Sequence, residues 1–313
     1  MKMLEMQGLQ MSDSAYQGSE EHKNASLRLL ASSLPREPDD QALIAWAADA
    51  GLPASLVLLA ARSMLTQGPA EQAREAFSAF LSAIPPGTQL SPIAHQWVNW
   101  AWAEGSDFPV VPLGQLVVHD AAMRSICEQV VALHRDAAQG RAVPRAQWRP
   151  LRVTPLAEPP WQDVDAVVQH AAVEAVLASA WDFDQTPGAA ADVFDAWVAL
   201  LSRRIDASAG WTEADEALLV QRNLEAIEKV TAEIGPRPTE ADPAARAAYR
   251  EVFLARLGEA IQSDLGSHRD SLLTQFSVDY ARLCGTCSEA LLALTHEAKR
   301  GTFQTQADRL KTP

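Results

Sequence analysis

Apolar residues recur along most of the chain at the three- and four-residue spacing of an amphipathic helix, and proline and glycine cut that pattern into segments. Gly51-Leu52-Pro53, Gly68-Pro69 and Ser91-Pro92 each put proline in a first helical turn, where its missing N–H costs nothing. The pattern predicts helices near residues 22–34, 39–50, 53–66, 69–84, 91–104 and 119–139. Phe77, Phe80, Leu81 and Ile84 form an inward stripe on one of them. Short helices joined by short loops predict stacked antiparallel helical hairpins over residues 21–140. Residues 1–20 lack the period and are expected to be disordered, and residues 302–313 to form a flexible tail.

Residues 141–160 hold five prolines and no helical period, which predicts a Pro/Arg-rich linker or strap. Its Arg141, Arg145, Arg149 and Arg152 are expected to solvate the linker or meet acidic residues of the second half. A second helical domain is expected over residues 161–301, with helices near 161–181, 187–206 and 212–234 and a long stretch from 243 to 300. Thr212 followed by Asp215 spells an N-cap, and Gly235-Pro236 a stop. Val220, Leu224, Ile227, Thr231 and Ile234 step four, three, four and three, a heptad-like seam. The two long elements are therefore expected to form a helical hairpin, with Gly266-Ser267 as the place where the second would break or kink. Their seam is expected either to be satisfied internally or to join a second copy in a homodimer.

Residues 54–87 resemble a single tetratricopeptide-like helical repeat unit. The matching positions are Gly68 at the inter-helix turn, Ala73 at the helix crossing, Phe77 and Leu81 on the second helix, and Pro85 after it. Ala60-Ala61 stands where that family has Leu-Gly, and Met64 replaces its usual tyrosine. The pattern does not recur 34 residues away on either side, so the resemblance implies one hairpin rather than an array.

Composition narrows the function classes. The chain has 313 residues with 40 acidic against 26 basic side chains, a net charge of −14, which argues against nucleic-acid and anionic-membrane partners. Three cysteines make no disulfide framework and fit a reducing, cytoplasmic setting. The longest apolar run, Leu52 to Ala61, is too short to span a bilayer, so no membrane insertion is expected.

Candidate chemistry is sparse. Cys284 and Cys287 form a C-x-x-C, but Leu273, Phe276, Tyr280, Leu283, Cys287, Ala290 and Leu294 trace one helical stripe, which predicts burial. A helix break at Gly285-Thr286 would instead make Cys287 a capped, reactive thiol. His119-Asp120 resembles the dipeptide of HD-type phosphohydrolases, a resemblance that implies a metal held with His95 and Asp163 or Asp165. Asp182, Asp184, Asp192 and Asp195 offer a second oxygen-rich set for a divalent cation. Trp97, Trp100 and Trp102, with Met64 on an earlier helix, are the candidates for a partner-binding face. No phosphate loop, dinucleotide fingerprint or nucleophile elbow is present, and no cofactor is expected. The sequence thus points to an all-α, non-enzymatic protein-interaction module: an adaptor, assembly factor or chaperone-like scaffold. A helical metal-dependent hydrolase is the alternative.

Overall fold

The computed structural model describes residues 14–33, 39–66, 69–104, 111–118, 120–160, 163–240, 242–261 and 264–300. Among these the fold is all-α, with one isolated bridge, Ser14 to Gln89, and no strand. The helices are α1 (Glu20–Ser33), α2 (Asp40–Ala50), α3 (Ala54–Leu65), α4 (Ala70–Ala83), α5 (Ile93–Ala103), α6 (Leu113–Leu116) and α7 (Ala121–Ala138). There follow α8 (Arg145–Arg152), α9 (Val164–Ala178), α10 (Gly188–Ser208), α11 (Glu213–Ile234), α12 (Pro243–Ala260) and α13 (Asp264–Arg300).

Local chemistry accounts for many of these ends. Asp39 caps α2 by accepting from the Ala42 N–H at 2.7 Å, and Gly51 closes it at φ 67°, a left-handed conformation that favours glycine. Thr212 and Asp215 form a reciprocal capping box at the start of α11. Asp242 caps α12, with Pro243 in its first turn.

The chain divides into two compact units. One gathers the described residues of Met1–Glu158, Val168–Leu201 and Asp279–Pro313; the other those of Pro159–Val167 and Ser202–Val278. In the first unit α3 is apolar nearly all round and buried nearly all round, as such a helix must be, with α2, α4 and α5 packed on it. Ala73, Phe77, Phe80 and Leu81 of α4 are buried too. Trp97, Trp148, Trp197, Tyr16, Phe77, Phe183 and Phe194 are the largest enclosed side chains of that core. In the second unit α11 and α12 pack on each other.

Three expectations are corrected. The stretch expected to be disordered includes residues 14–19, and these are instead docked on α4 and the loop after it: Ala15 N–H donates to Thr88 O at 3.0 Å, and the Tyr16 hydroxyl donates to Leu81 O at 2.8 Å. Tyr16 and Gln17 adopt φ 51°, an uncommon left-handed conformation that burial of the Tyr16 ring offsets. The stretch without helical period contains α8, because Trp148 anchors it in the first unit's core; Arg152 lies 3.4 Å over the Trp181 ring and Arg141 pairs with Asp136. The break or kink expected at Gly266-Ser267 falls a few residues earlier: α12 ends at Ala260 and α13 starts at Asp264, and Gly266 and Ser267 sit inside α13.

Helix α13 also runs unbroken through Gly285. A methyl group built at that position meets no neighbouring atom within 4 Å. Replacing glycine by alanine there removes backbone freedom from the unfolded chain without a clash. Gly285→Ala is therefore expected to stabilise the protein by about 0.5–1 kcal/mol in urea unfolding. A loss of stability would show that the helix is broken at this point.

Candidate functional site

The most concentrated chemistry of the first unit lies where α5, α7, α8 and the turn after α9 meet. His95 Nδ1 and His134 Nδ1 stand 2.8 Å apart, and His134 Nε2 lies 2.8 Å from Ser179 O and 3.1 Å from Ser179 Oγ. A carbonyl oxygen only accepts, so Nε2 of His134 carries the proton. Its Nδ1 must then accept from His95 Nδ1–H, which leaves His95 Nε2 as the bare nitrogen. Phe183 stacks on His95 at 4.7 Å between ring centroids, and Trp148 lies 4.8 Å from His134. The Trp148 indole N–H has no hydrogen-bond partner among the described residues.

Burial pushes His95 down to about 4, with the nearby Asp182 carboxylate opposing it. His134 is driven well below its ordinary value by burial and by the neighbouring His95. Both imidazoles are therefore neutral at physiological pH. General acid-base catalysis near neutrality is most effective with a group titrating close to the operating pH. The arrangement suits a neutral clamp that hydrogen-bonds α5, α7 and the turn after α9, with Trp148 of α8 packed against it. Sequence reading named His95 but missed His134, which sits 39 residues further on, without any motif linking the two.

Most of the residues proposed as metal ligands are engaged in caps, turns and ion pairs. His119 lies outside the described residues. Asp120 spends its Oδ1 on the Ala122 and Met123 N–H groups as the cap of α7, and His95 belongs to the clamp. Asp182 accepts from the Asp184 N–H and the Gln185 side chain, so these loop acids shape a turn. Asp195 and Asp40 bracket Arg62, at 3.6 and 3.3 Å. Partial withdrawal from water raises the Asp192 and Asp195 carboxyls above their usual range, while Arg62 opposes the rise. Among the described residues no three His, Cys, Asp or Glu side chains converge to hold a metal ion.

The addressable thiol is corrected as well. With α13 unbroken, Cys287 is buried beside Leu283 and Ala290, and burial pushes its thiol well up. Cys284 is pushed up to about 11 and Cys127 to about 12, in each case chiefly by burial. A thiolate is the reacting species, so a thiol reagent at pH 7.5 is expected to label none of the three cysteines in native protein and all three after denaturation. Rapid native labelling of Cys287 would contradict this placement.

Trp97 and Met64 are core residues rather than a partner face. Trp97 is fully enclosed, with the Trp197 and Trp100 rings 5.9 and 6.1 Å away. Trp100 and Trp102 keep partial exposure, and Trp102 closes over Gly114, where an added methyl would meet it at 2.9 Å. The clustering of tryptophans on α5 reflects core packing on more than one side of that helix.

The second unit carries most of the exposed large apolar side chains among the described residues. Helix α11 buries Leu219, Ala226 and Val230, while Val220, Leu224 and Ile227 of the heptad-like seam are 50%, 56% and 38% exposed. Among the described residues the seam is left largely uncovered. Alongside it, Ala217, Val220 and Leu224 line a shallow groove edged by Glu213 and Glu216. Helix α12 has no buried residue at all, and its Val252 and Leu254 are 50% and 54% exposed. Among the described residues no helix is long and apolar enough to cross a membrane. Comparison of the chain with family models, curated proteins and solved structures finds no match, so a functional reading rests on this geometry.

Proposed function

We propose that this protein is a non-enzymatic interaction module, an adaptor, assembly factor or chaperone-like scaffold, whose docking element is the α11–α12 helix pair. The observation that carries this reading is the uncovered apolar seam of α11 beside a helix, α12, that buries none of its residues. An isolated helix of α12's length is marginal in water, and most helical stability in proteins comes from packing one face. A partner that covers the pair supplies that packing.

The partner we favour is a second copy. Val220, Leu224 and Ile227 recur at the spacing by which helices interlock side by side. Two copies related by a two-fold axis bring the same two helices to each other, so one seam meets its own complement and the contact closes at the dimer. The three free cysteines fit a reducing compartment, and we place the protein in the cytoplasm on that ground. Light scattering and sedimentation of the full chain test the reading: a concentration-dependent dimer is expected, lost when Leu224 and Ile227 are both changed to glutamate.

A further inference from the structure

The connection between α11 and α12 borders a cleft of about 660 Å³, within the range of roughly 300–1,000 Å³ typical of ligand sites. Arg237, Arg246 and Arg250 line it together with the apolar Pro243, Ala247 and Phe253 and with Thr231 of α11. Tyr249 forms a wall, its hydroxyl donating to Gly235 O at 3.2 Å and its ring stacked on Phe253 at 6.1 Å. Three arginines lining one cleft stand out in a chain of net charge −14. Arg246 meets only the exposed Glu240, at a long 3.8 Å, and Arg237 and Arg250 pair with no carboxylate among the described residues.

We propose that this cleft binds an acidic peptide segment of a protein partner. The guanidinium fork matches a carboxylate in two-point fashion, which fixes register as well as charge. The apolar lining of Pro243, Ala247 and Phe253 takes an apolar side chain between the acids. The Glu240 carboxylate on Arg246 is the intramolecular stand-in for such a ligand, and it is displaced on binding. Arg237 and Arg250 are exposed, which suits a segment laid across the cleft better than a small molecule enclosed by it. The inference rests on the interaction reading above and names the chemistry of a second partner, distinct from the self-contact of the seam.

Fluorescence anisotropy with the full chain and a labelled octapeptide of alternating aspartate and leucine tests it. Binding is expected, with no binding of the same peptide carrying lysine for aspartate. The double variant Arg237→Ala/Arg250→Ala is expected to weaken binding at least tenfold with unchanged circular dichroism, whereas Arg256→Ala, on α12 but outside the cleft, changes it less than twofold. Glu240→Gln is expected to tighten binding about two- to fivefold, as removal of one exposed competing pair. Full affinity in the double variant, an equal loss in Arg256→Ala, or full displacement of the peptide by inorganic phosphate at low millimolar concentration would overturn the assignment. Failure of the peptide to bind, while self-association still responds to the Leu224 and Ile227 changes, removes the cleft and leaves the interaction reading standing.

Discussion

Replacing His134 by alanine is expected to destabilise the protein by about 3–5 kcal/mol, comparable to truncating a buried aromatic side chain. The ring is fully enclosed and its two nitrogens hold α5 on one side and the turn after α9 on the other. Its loss leaves a cavity and strands Ser179 O and the His95 Nδ1–H without their partner. The same clamp makes the protein acid-labile in a defined window. Both histidines titrate below the ordinary value in the folded state, so the unfolded chain takes up protons first. Their stabilisation is complete above pH 6.5 and is lost as pH falls toward 4. For His95 alone, a displacement from 6.5 to about 4 corresponds to about 3 kcal/mol, and His134 adds in the same direction. Asp215, whose carboxyl is held low by its bonds to Thr212, acts only below that window, and the raised Asp192 and Asp195 act with the opposite sign. Urea unfolding at pH 8, 6.5, 5 and 4 is therefore expected to show a steep fall that His95→Leu flattens. A midpoint independent of pH between 7 and 4.5 would refute the neutral clamp.

The paired change Leu224→Glu/Ile227→Glu is expected to weaken self-association by at least about 100-fold. Two apolar side chains at the centre of a helix–helix contact each contribute about 1.5–3 kcal/mol of burial, and about 3 kcal/mol in total already corresponds to roughly two orders of magnitude in Kd. Because both side chains are exposed in the single chain, the variant keeps the monomer's helix content and melting temperature. That separation of association from folding distinguishes a docking seam from a core. A wild-type protein that stays monomeric at several hundred micromolar, or a double variant that dimerises equally well, would sink the proposal.

Helix-forming segments were legible because helical periodicity, caps and stops are local. Asp39, Gly51, Thr212 and Gly235 mark boundaries through bonds or conformations formed within a few residues. Burial of Cys287 was legible for the same reason, since its stripe neighbours lie one turn away on α13. The histidine clamp was not, because His95, His134, Trp148 and Ser179 come from separate segments joined only by packing. Trp148 also lies in a proline-rich stretch whose helix is made worthwhile by the core it enters.

Helix α11 shows where local information stops. Its sequence carries two apolar stripes: Val220, Leu224 and Ile227, and also Leu219, Ala226 and Val230. Periodicity establishes that each lies along the helix, but both satisfy it. Tertiary packing buried the second stripe and left the first uncovered. Sequence alone thus determined an all-α chain and most of its helix boundaries, which depend on neighbours in the chain. Which apolar face became core and which became surface was decided only by the tertiary structure, because burial depends on residues distant in sequence.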